Sequence, residues 1–475
     1  MDEKEVQDID NLPLEWLRVN YSRTCDAKDH YSSPRLSSEY LDCSMPLTFD
    51  SYNFCSYSCK YCFAAFFKGN NPMLKGEGLQ LKSVDVKKME RMITGKMPND
   101  LYWKFFFSKR YIMQWGSMAD PFCNFEKTNK VGEQLIKLFG DNKYPIRFSF
   151  KGQEIQTYLP LFEKYKEAKN FVFQSSIIGV DPVLASKIEV GAPSPDFRFK
   201  MLGKLGEMGY WTILRLRPFV IGFSDIGLDE LLENCKKYKI RGISMEFFAL
   251  DFKCSKEVRK QVTRLGDLLG YDIERYYKDL SSHRRGSYMR LNRDVKERWV
   301  RKIYKFCYDN NVVFGCSDPD YKELNMSGSC CALPESFPEN PEICNYTRCQ
   351  QTDKLRLLRR NYWRGKRGDD IQLKFGNVVN GDPKFQDFLH NNRLFGNDIV
   401  YKTSYLTSEV VNTTPASCMR KFWNNLRSPN APMNYFEGKV MPVGRDEDGN
   451  LVYEYKVHPY EEYWTKDLGI DLGRY

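Results

Sequence analysis

From about Leu47 to Cys316 the chain alternates short apolar runs with longer amphipathic stretches, and this rhythm limits its fold more than any other feature. Strand-length runs stand at Pro46–Asn53, Tyr111–Trp115, Ile146–Phe150, Phe171–Ser175, Trp211–Leu216, Gly242–Phe247 and Val312–Gly315. Helix-length segments fall between them at Ser83–Ile93, Lys130–Leu138, Gln153–Lys166, Pro195–Met208, Asp229–Lys239 and Asp294–Asp309. Repeated βα units of this kind make a parallel sheet covered by helices. The expected fold is therefore α/β, a partial (β/α) barrel with functional groups at the carboxyl ends of its strands. Ser194-Pro195 supplies a clear helix start, a hydroxyl cap followed by proline in the first turn.

The rest of the chain divides around that unit. Residues 1–45 are polar and aromatic, an N-terminal extension, and residues 46–316 form the barrel. Residues 262–293 interrupt the rhythm with Tyr271, Tyr276, Tyr277 and His283-Arg284-Arg285, an insertion over the barrel mouth or on its side. Residues 317–352 are cysteine-rich, and residues 353–475 form a basic C-terminal region. A hairpin is expected there from Lys439–Val443 and Leu451–Val457, turned at Asp448-Gly449-Asn450. With 475 residues the chain exceeds the roughly 250–300 that one core usually serves.

Three thiols are spaced Cys55-x-x-x-Cys59-x-x-Cys62, with Phe63 and two alanines after them. Soft thiolates suit iron, and three of them on a [4Fe–4S] cube leave one iron open to a further ligand. The competing readings are three buried free thiols or a zinc knuckle; zinc wants a fourth protein ligand, and no histidine lies close downstream. The chain has only four histidines, and no Walker loop, dinucleotide fingerprint or hydrolase triad competes. Fifteen cysteines here fit a reducing compartment and metal binding better than disulfides.

Three further stretches follow in order: Gln114-Trp115-Gly116-Ser117-Met118-Ala119-Asp120-Pro121-Phe122-Cys123-Asn124-Phe125-Glu126, then Glu189-Val190-Gly191-Ala192-Pro193-Ser194-Pro195-Asp196-Phe197-Arg198, then Arg215-Leu216-Arg217-Pro218-Phe219-Val220-Ile221-Gly222. With the cysteines, they resemble the spore photoproduct lyase-like, or DNA repair photolyase-like, branch of the radical S-adenosylmethionine (SAM) superfamily, over about residues 45–331. The resemblance implies that Cys55, Cys59 and Cys62 hold a [4Fe–4S] cluster whose open iron chelates SAM. The reduced cluster then cleaves SAM to methionine and a 5′-deoxyadenosyl radical, which takes hydrogen from a substrate. It implies that Gly116 and Ser117 line the amino-acid end of SAM, that Lys151, Ser175 and Ser176 meet SAM at strand ends, and that Arg215 reaches its carboxylate. An electron donor such as flavodoxin or ferredoxin is implied too. Each position also has a structural reading: Gly116 in a tight turn, Asp120 and Pro121 at a helix cap, and Arg215 or Arg217 paired with Glu246.

One position departs from the pattern. Lyases that split spore photoproduct return hydrogen from a cysteine where this chain has Ser117, and a hydroxyl is a poor hydrogen-atom donor. Cys123 stands near enough in sequence to substitute, or else packs as a small buried hydrophobe.

Cys316, Cys330, Cys331, Cys344 and Cys349 form a second group, expected to bind a second Fe–S cluster or a structural zinc; the alternative is that Cys330-Cys331 packs at the barrel base. Lys354, Arg356, Arg359, Arg360, Arg364, Lys366 and Arg367 surround Tyr362 and Trp363, a mixture that suits a nucleic-acid strand or a solvated face. The net charge of +10 is compatible with an anionic partner.

The sequence reading is thus a radical SAM enzyme that abstracts hydrogen from a nucleic-acid or nucleotide-derived, thymine-like substrate, leading to repair, rearrangement or hypermodification of the base by lyase or isomerase-type chemistry. Other readings are radical modification of a peptide or protein side chain, and a non-catalytic, metal-stapled nucleic-acid-binding protein. No apolar run approaches the roughly 20 residues of a membrane span, and the chain opens Met1-Asp2-Glu3-Lys4-Glu5 without a secretion pattern. A cytoplasmic protein is expected, bacterial or in the host cytoplasm if phage-encoded.

Overall fold

Seven parallel strands are hydrogen-bonded in the order in which the chain makes them. They are β1 (Leu47–Phe49), β2 (Met113–Trp115), β3 (Ile146–Phe150), β4 (Phe171–Ser176), β5 (Trp211–Phe219), β6 (Gly242–Phe247) and β7 (Val313–Cys316). Arg35–Leu36 adds an antiparallel strand to the outer edge of β1. The structure is a computed structural model and describes residues 29–31, 34–36, 45, 47–66, 81–97, 107, 110, 112–251, 254, 256–280, 283–285, 288–327, 330–334, 372–374, 440–445, 451–455 and 468. Among these, the two edges of the sheet are not paired with each other, so the α/β unit is an open, partial barrel.

Each expected strand is found, and so are the helices between them. These are α1 (Val86–Ile93), α2 (Val131–Asp141), α3 (Leu159–Tyr165), α4 (Pro182–Ile188), α5 (Pro195–Glu207), α6 (Leu228–Lys237), α7 (Lys256–Leu269), α8 (Ile273–Asp279) and α9 (Arg293–Asp309). Several begin on side-chain caps: Asp85 accepts from Lys88 N, Asp181 from Val183 N and Leu184 N, and Asn292 from Val295 N. Ser194 accepts from Phe197 N, with Pro195 in the first turn, as its sequence indicates.

Every residue of β3 and β4 is buried, as strands covered on both faces must be. Their outward positions carry aromatic rings. Phe148 and Phe173 stack with centroids 4.8 Å apart, and Phe162 of α3 meets both at 5.5 and 4.7 Å. Side chains alternate along a strand, so Arg147, Ser149 and Gln174 face the other way, into the barrel interior.

The floor of that interior is made by residues 330–333. Trp211 Nε1 donates to Ala332 O (3.1 Å), and Ser244 Oγ donates to Cys330 O (3.1 Å). A Cβ on Gly315 would stand 2.6 Å from Ala332 N, so this close approach requires glycine. Cys331, Ala332 and Leu333 pack with Met45, Ile112, Val172 and Ile213 in a small apolar cluster of their own.

The segment after β6 lies at the carboxyl ends of the strands. Tyr277 Oη of α8 donates to Phe248 O (2.5 Å), and Tyr271 Oη donates to Ile221 O (2.9 Å). A three-stranded antiparallel sheet, Leu250–Asp251 with Tyr288–Arg290 and His283–Arg285, extends the same region. The expected C-terminal hairpin is present as Val440–Arg445 paired with Leu451–Tyr455, and Gln372–Lys374 joins its second strand. The turn at Asp448-Gly449-Asn450 lies outside the described residues, as do Cys344, Cys349 and the basic segment Lys354–Arg367. Among the described residues, no helix is long and apolar enough to cross a membrane.

Candidate active site at the cysteine loop

The loop that carries Cys55, Cys59 and Cys62 leaves the carboxyl end of β1 and is clamped at three places. Ser58 and Cys59 form a short antiparallel ladder with Val190 and Glu189, and Lys60 N donates to Ile188 O (2.9 Å). Between the second and third cysteines, Tyr61 Oη donates to Glu189, whose other oxygen pairs with Arg198. Arg198 in turn donates from Nη1 to Ser176 O (2.5 Å) and from Nε to Pro193 O (3.0 Å). The third sequence stretch is therefore the strap that fixes the cysteine loop to β4 and α5.

The Glu189–Arg198 pair is almost wholly buried, its side chains 2% and 0% exposed. Burial alone would raise the Glu189 carboxyl, but Arg198 and Lys151 overcome it and hold the group below the usual carboxylate range. Such a pair tolerates the interior only because every strong donor is matched, and Arg198 meets that condition through two carbonyls and a carboxylate.

The second stretch fixes the other side of the loop. Asp50, the residue after β1, accepts from three successive amides, Ser117 N (2.7 Å), Met118 N (2.9 Å) and Ala119 N (3.0 Å), and pairs with Arg35 at 2.6 Å. Arg35 also donates to Ser117 Oγ (2.5 Å). Gly116 has φ +92, and a Cβ there would stand 2.2 Å from Ser149 O, so only glycine fits this turn. Asp120 joins the exits of β2 and β3 by accepting from Phe122 N (2.9 Å), Lys151 N (2.5 Å) and Gly152 N (3.2 Å). Glu126 is buried and takes hydrogen bonds from Tyr52 Oη (2.5 Å), Tyr158 Oη (2.7 Å) and Gly132 N (3.0 Å); burial pushes its carboxyl up. The acids of this stretch are scaffold around the cysteine loop.

Around the thiols, the expected residues fall into two groups. Cys55, Cys59, Cys62, Cys123 and Lys151 are brought together. Cys123 is fully buried, and its contact with Cys55, followed by burial, pushes the Cys55 thiol up. Burial also pushes up Cys59, which lies in the field of Lys151, Glu189, Cys62 and Cys55. Lys151 Nζ stands 5.6 Å from the centroid of the Tyr61 ring. Ser176 reaches this group through its carbonyl, and Gly116 and Ser117 occupy the adjoining turn.

Two expected residues lie elsewhere. Ser175 is on the outward face of β4, donating its hydroxyl to Phe150 O (3.0 Å). Arg215 points into the barrel interior, donating to Ser149 Oγ (2.8 Å), while it is Arg217 that pairs with Glu246 (2.5 Å).

Of the second cysteine group, the three described members, Cys316, Cys330 and Cys331, are not all brought together. Gly315 faces residues 330–332, so strand alternation turns Cys316 to the opposite side, into the main core, while Cys330 and Cys331 stay at the floor. Among the described residues, no three histidine, cysteine, aspartate or glutamate side chains stand together at metal-ion distances. The Cys55–Cys62 loop nevertheless has the donor chemistry for an iron–sulfur cluster: three thiols in one clamped loop, close enough to feel one another's charge.

The chain matches no family model and no curated protein. Among solved structures it is similar to spore photoproduct lyase complexed with dinucleoside spore photoproduct, at 11% identity and TM-score 0.41, over 64% of this chain and 94% of the other. A cysteine variant of spore photoproduct lyase aligns at 12% identity and TM-score 0.45, over 60% and 79%. Streptococcus suis SuiB bound to S-adenosylmethionine aligns at 14% identity and TM-score 0.36, over 60% and 54%. Overlap at this level leaves the chemistry to the residues of the site.

The clamp is what sequence reasoning missed. Tyr61 sits inside the cysteine motif, and Glu189 and Arg198 stood in a recognised stretch without a role. Asp50 gave no signal, since its amide partners are 67 to 69 residues away.

Proposed function

We propose that the chain is a radical SAM enzyme whose [4Fe–4S] cluster is held by Cys55, Cys59 and Cys62. The observation that carries this reading is the three-thiol loop itself, strapped down at the carboxyl end of β1 in an open, sequential parallel sheet. When bound, the cluster supplies the electron that cleaves SAM to methionine and a 5′-deoxyadenosyl radical. The chain's own part is to position and to exclude water. The Asp50 carboxylate shapes the Gly116–Ala119 turn beside the cysteine loop, and Asp120 sets the Lys151 backbone so that its ammonium lies over Tyr61. Lys151 would meet SAM at the strand ends, and Gly116 and Ser117 would border its amino-acid end.

The substrate in this reading is a nucleic acid or a nucleotide-derived, thymine-like base, with repair, rearrangement or hypermodification as the outcome. Its support is the motif resemblance together with the basic, aromatic stretch Lys354–Arg367 and the net charge of +10. An electron donor of the flavodoxin or ferredoxin type would reduce the cluster. A second Fe–S cluster or zinc would draw on Cys330, Cys331, Cys344 and Cys349. Salt-dependent DNA binding tests the substrate class: affinity should fall steeply with salt, whereas affinity for a peptide should not show that slope.

A further inference from the structure

Among the described residues, two arginines in the barrel interior have no carboxylate at ion-pair distance. Arg147 on β3 donates from Nη1 to the Gln174 carbonyl oxygen, and Arg215 on β5 donates from Nη1 to Ser149 Oγ (2.8 Å). Ser149 is two residues beyond Arg147 on the same face of β3, one repeat of about 7 Å, so the two guanidinium groups occupy successive levels of the same wall. Arg147 is 2% exposed and Gln174 fully buried. Arg147 Nε, Arg215 Nε and Gln174 Nε2 are all buried without a hydrogen-bond partner.

Nearby charge does not balance them. Glu246 is engaged by Arg217 (2.5 Å) and Arg290 (3.1 Å) and also accepts from Ser317 Oγ (2.9 Å). Among the described residues neither Arg147 nor Arg215 forms an ion pair. Burial, then the like charges of Arg217 and Arg147, pulls the Arg215 guanidinium down to about 9. Cys331, on the floor, lies in the field of Arg147, Arg217 and Arg215. Buried cations left unmatched are costly, and three unpartnered N–H groups beside them make a seat with donors ready.

We propose that Arg147, Arg215 and the Gln174 amide form an oxyanion-binding site inside the barrel, built for a phosphate or carboxylate group of a bound small molecule. Two sources share that chemistry, a nucleotide substrate's phosphate and the carboxylate of SAM. The site rests on the barrel interior and not on the cluster, so it stands or falls separately from the radical reading.

The test is calorimetric titration of the full chain with inorganic phosphate, then with thymidine, thymidine 5′-monophosphate and SAM. Arg147→Gln removes one guanidinium, and Gln174→Glu places a carboxylate in the seat. Phosphate affinity should drop about tenfold or more in Arg147→Gln, as for loss of a charged hydrogen bond, and Gln174→Glu should lose it while melting at a higher temperature. The same loss for thymidine 5′-monophosphate but not thymidine assigns the seat to substrate; loss for SAM alone assigns it to the cofactor carboxylate. No phosphate binding by the wild type, or equal affinity in the wild type and both variants, overturns the proposal.

Discussion

Cys59 and Glu189 face each other across a two-residue antiparallel ladder, and the Glu189 carboxylate is buried between Tyr61 and Arg198. One central thiol of the site is thus placed by backbone pairing and by a buried ion pair at once. Replacing Arg198 with Met leaves the Glu189 charge unmatched in the interior, and should lower stability by about 3–5 kcal/mol. Chemical denaturation at neutral pH measures this. The same variant should retain less iron than the wild type after reconstitution, because the strap on the loop is broken.

The pair also sets an acid limit. Glu189 has its folded-state value held below the ordinary one, mainly because Arg198 overrides the effect of burial. Its stabilising contribution is therefore fully present above about pH 4.3 and is lost as the pH falls below that, through the depressed folded value. Unfolding midpoints from pH 6 to pH 3 should fall more steeply in the wild type than in a Glu189→Gln, Arg198→Met double variant, where the titrating pair is gone.

Gly116 turns the chain where no side chain fits. With φ at +92 and Ser149 O only 2.2 Å from where a Cβ would stand, Gly116→Ala should cost about 1–3 kcal/mol or more by overpacking. Thermal denaturation checks it, and SAM binding should weaken in parallel because the Ser117–Ala119 amides are displaced from Asp50.

The order of the sheet and its helices was readable because apolar periodicity reports burial directly: Ile146–Phe150 and Phe171–Ser176 are apolar enough to be strands covered on both faces. Cys55, Cys59 and Cys62 were readable because ligand spacing is local. The straps were not. Asp50 meets amides of residues 117–119, Tyr52 meets Glu126, and Arg147 meets Gln174, all through tertiary contacts that leave no period or motif. Ser175 shows the limit of counting along a strand: one residue separates it from Ser176, and that single step sends its hydroxyl outward to Phe150 O.

Cys123 and Ser117 stand in different surroundings, and Cys123 can be tested directly. Cys123 is buried against Cys55, while Ser117 holds Arg35 through its hydroxyl. If the Cys123 thiol returns hydrogen to the product radical, Cys123→Ala should keep its iron and its 5′-deoxyadenosine formation, yet lose deuterium transfer from heavy water into product. Unchanged deuterium content would leave Cys123 a packing residue.

The central claim is most directly tested by anaerobic iron and sulfide analysis of the reconstituted full chain, with 5′-deoxyadenosine measured after SAM and dithionite are added, beside Cys59→Ala. The account predicts about four irons per chain, or about eight with a second cluster, and nucleoside that disappears in the variant. Bound zinc in place of iron, with no nucleoside from the wild type, would contradict it.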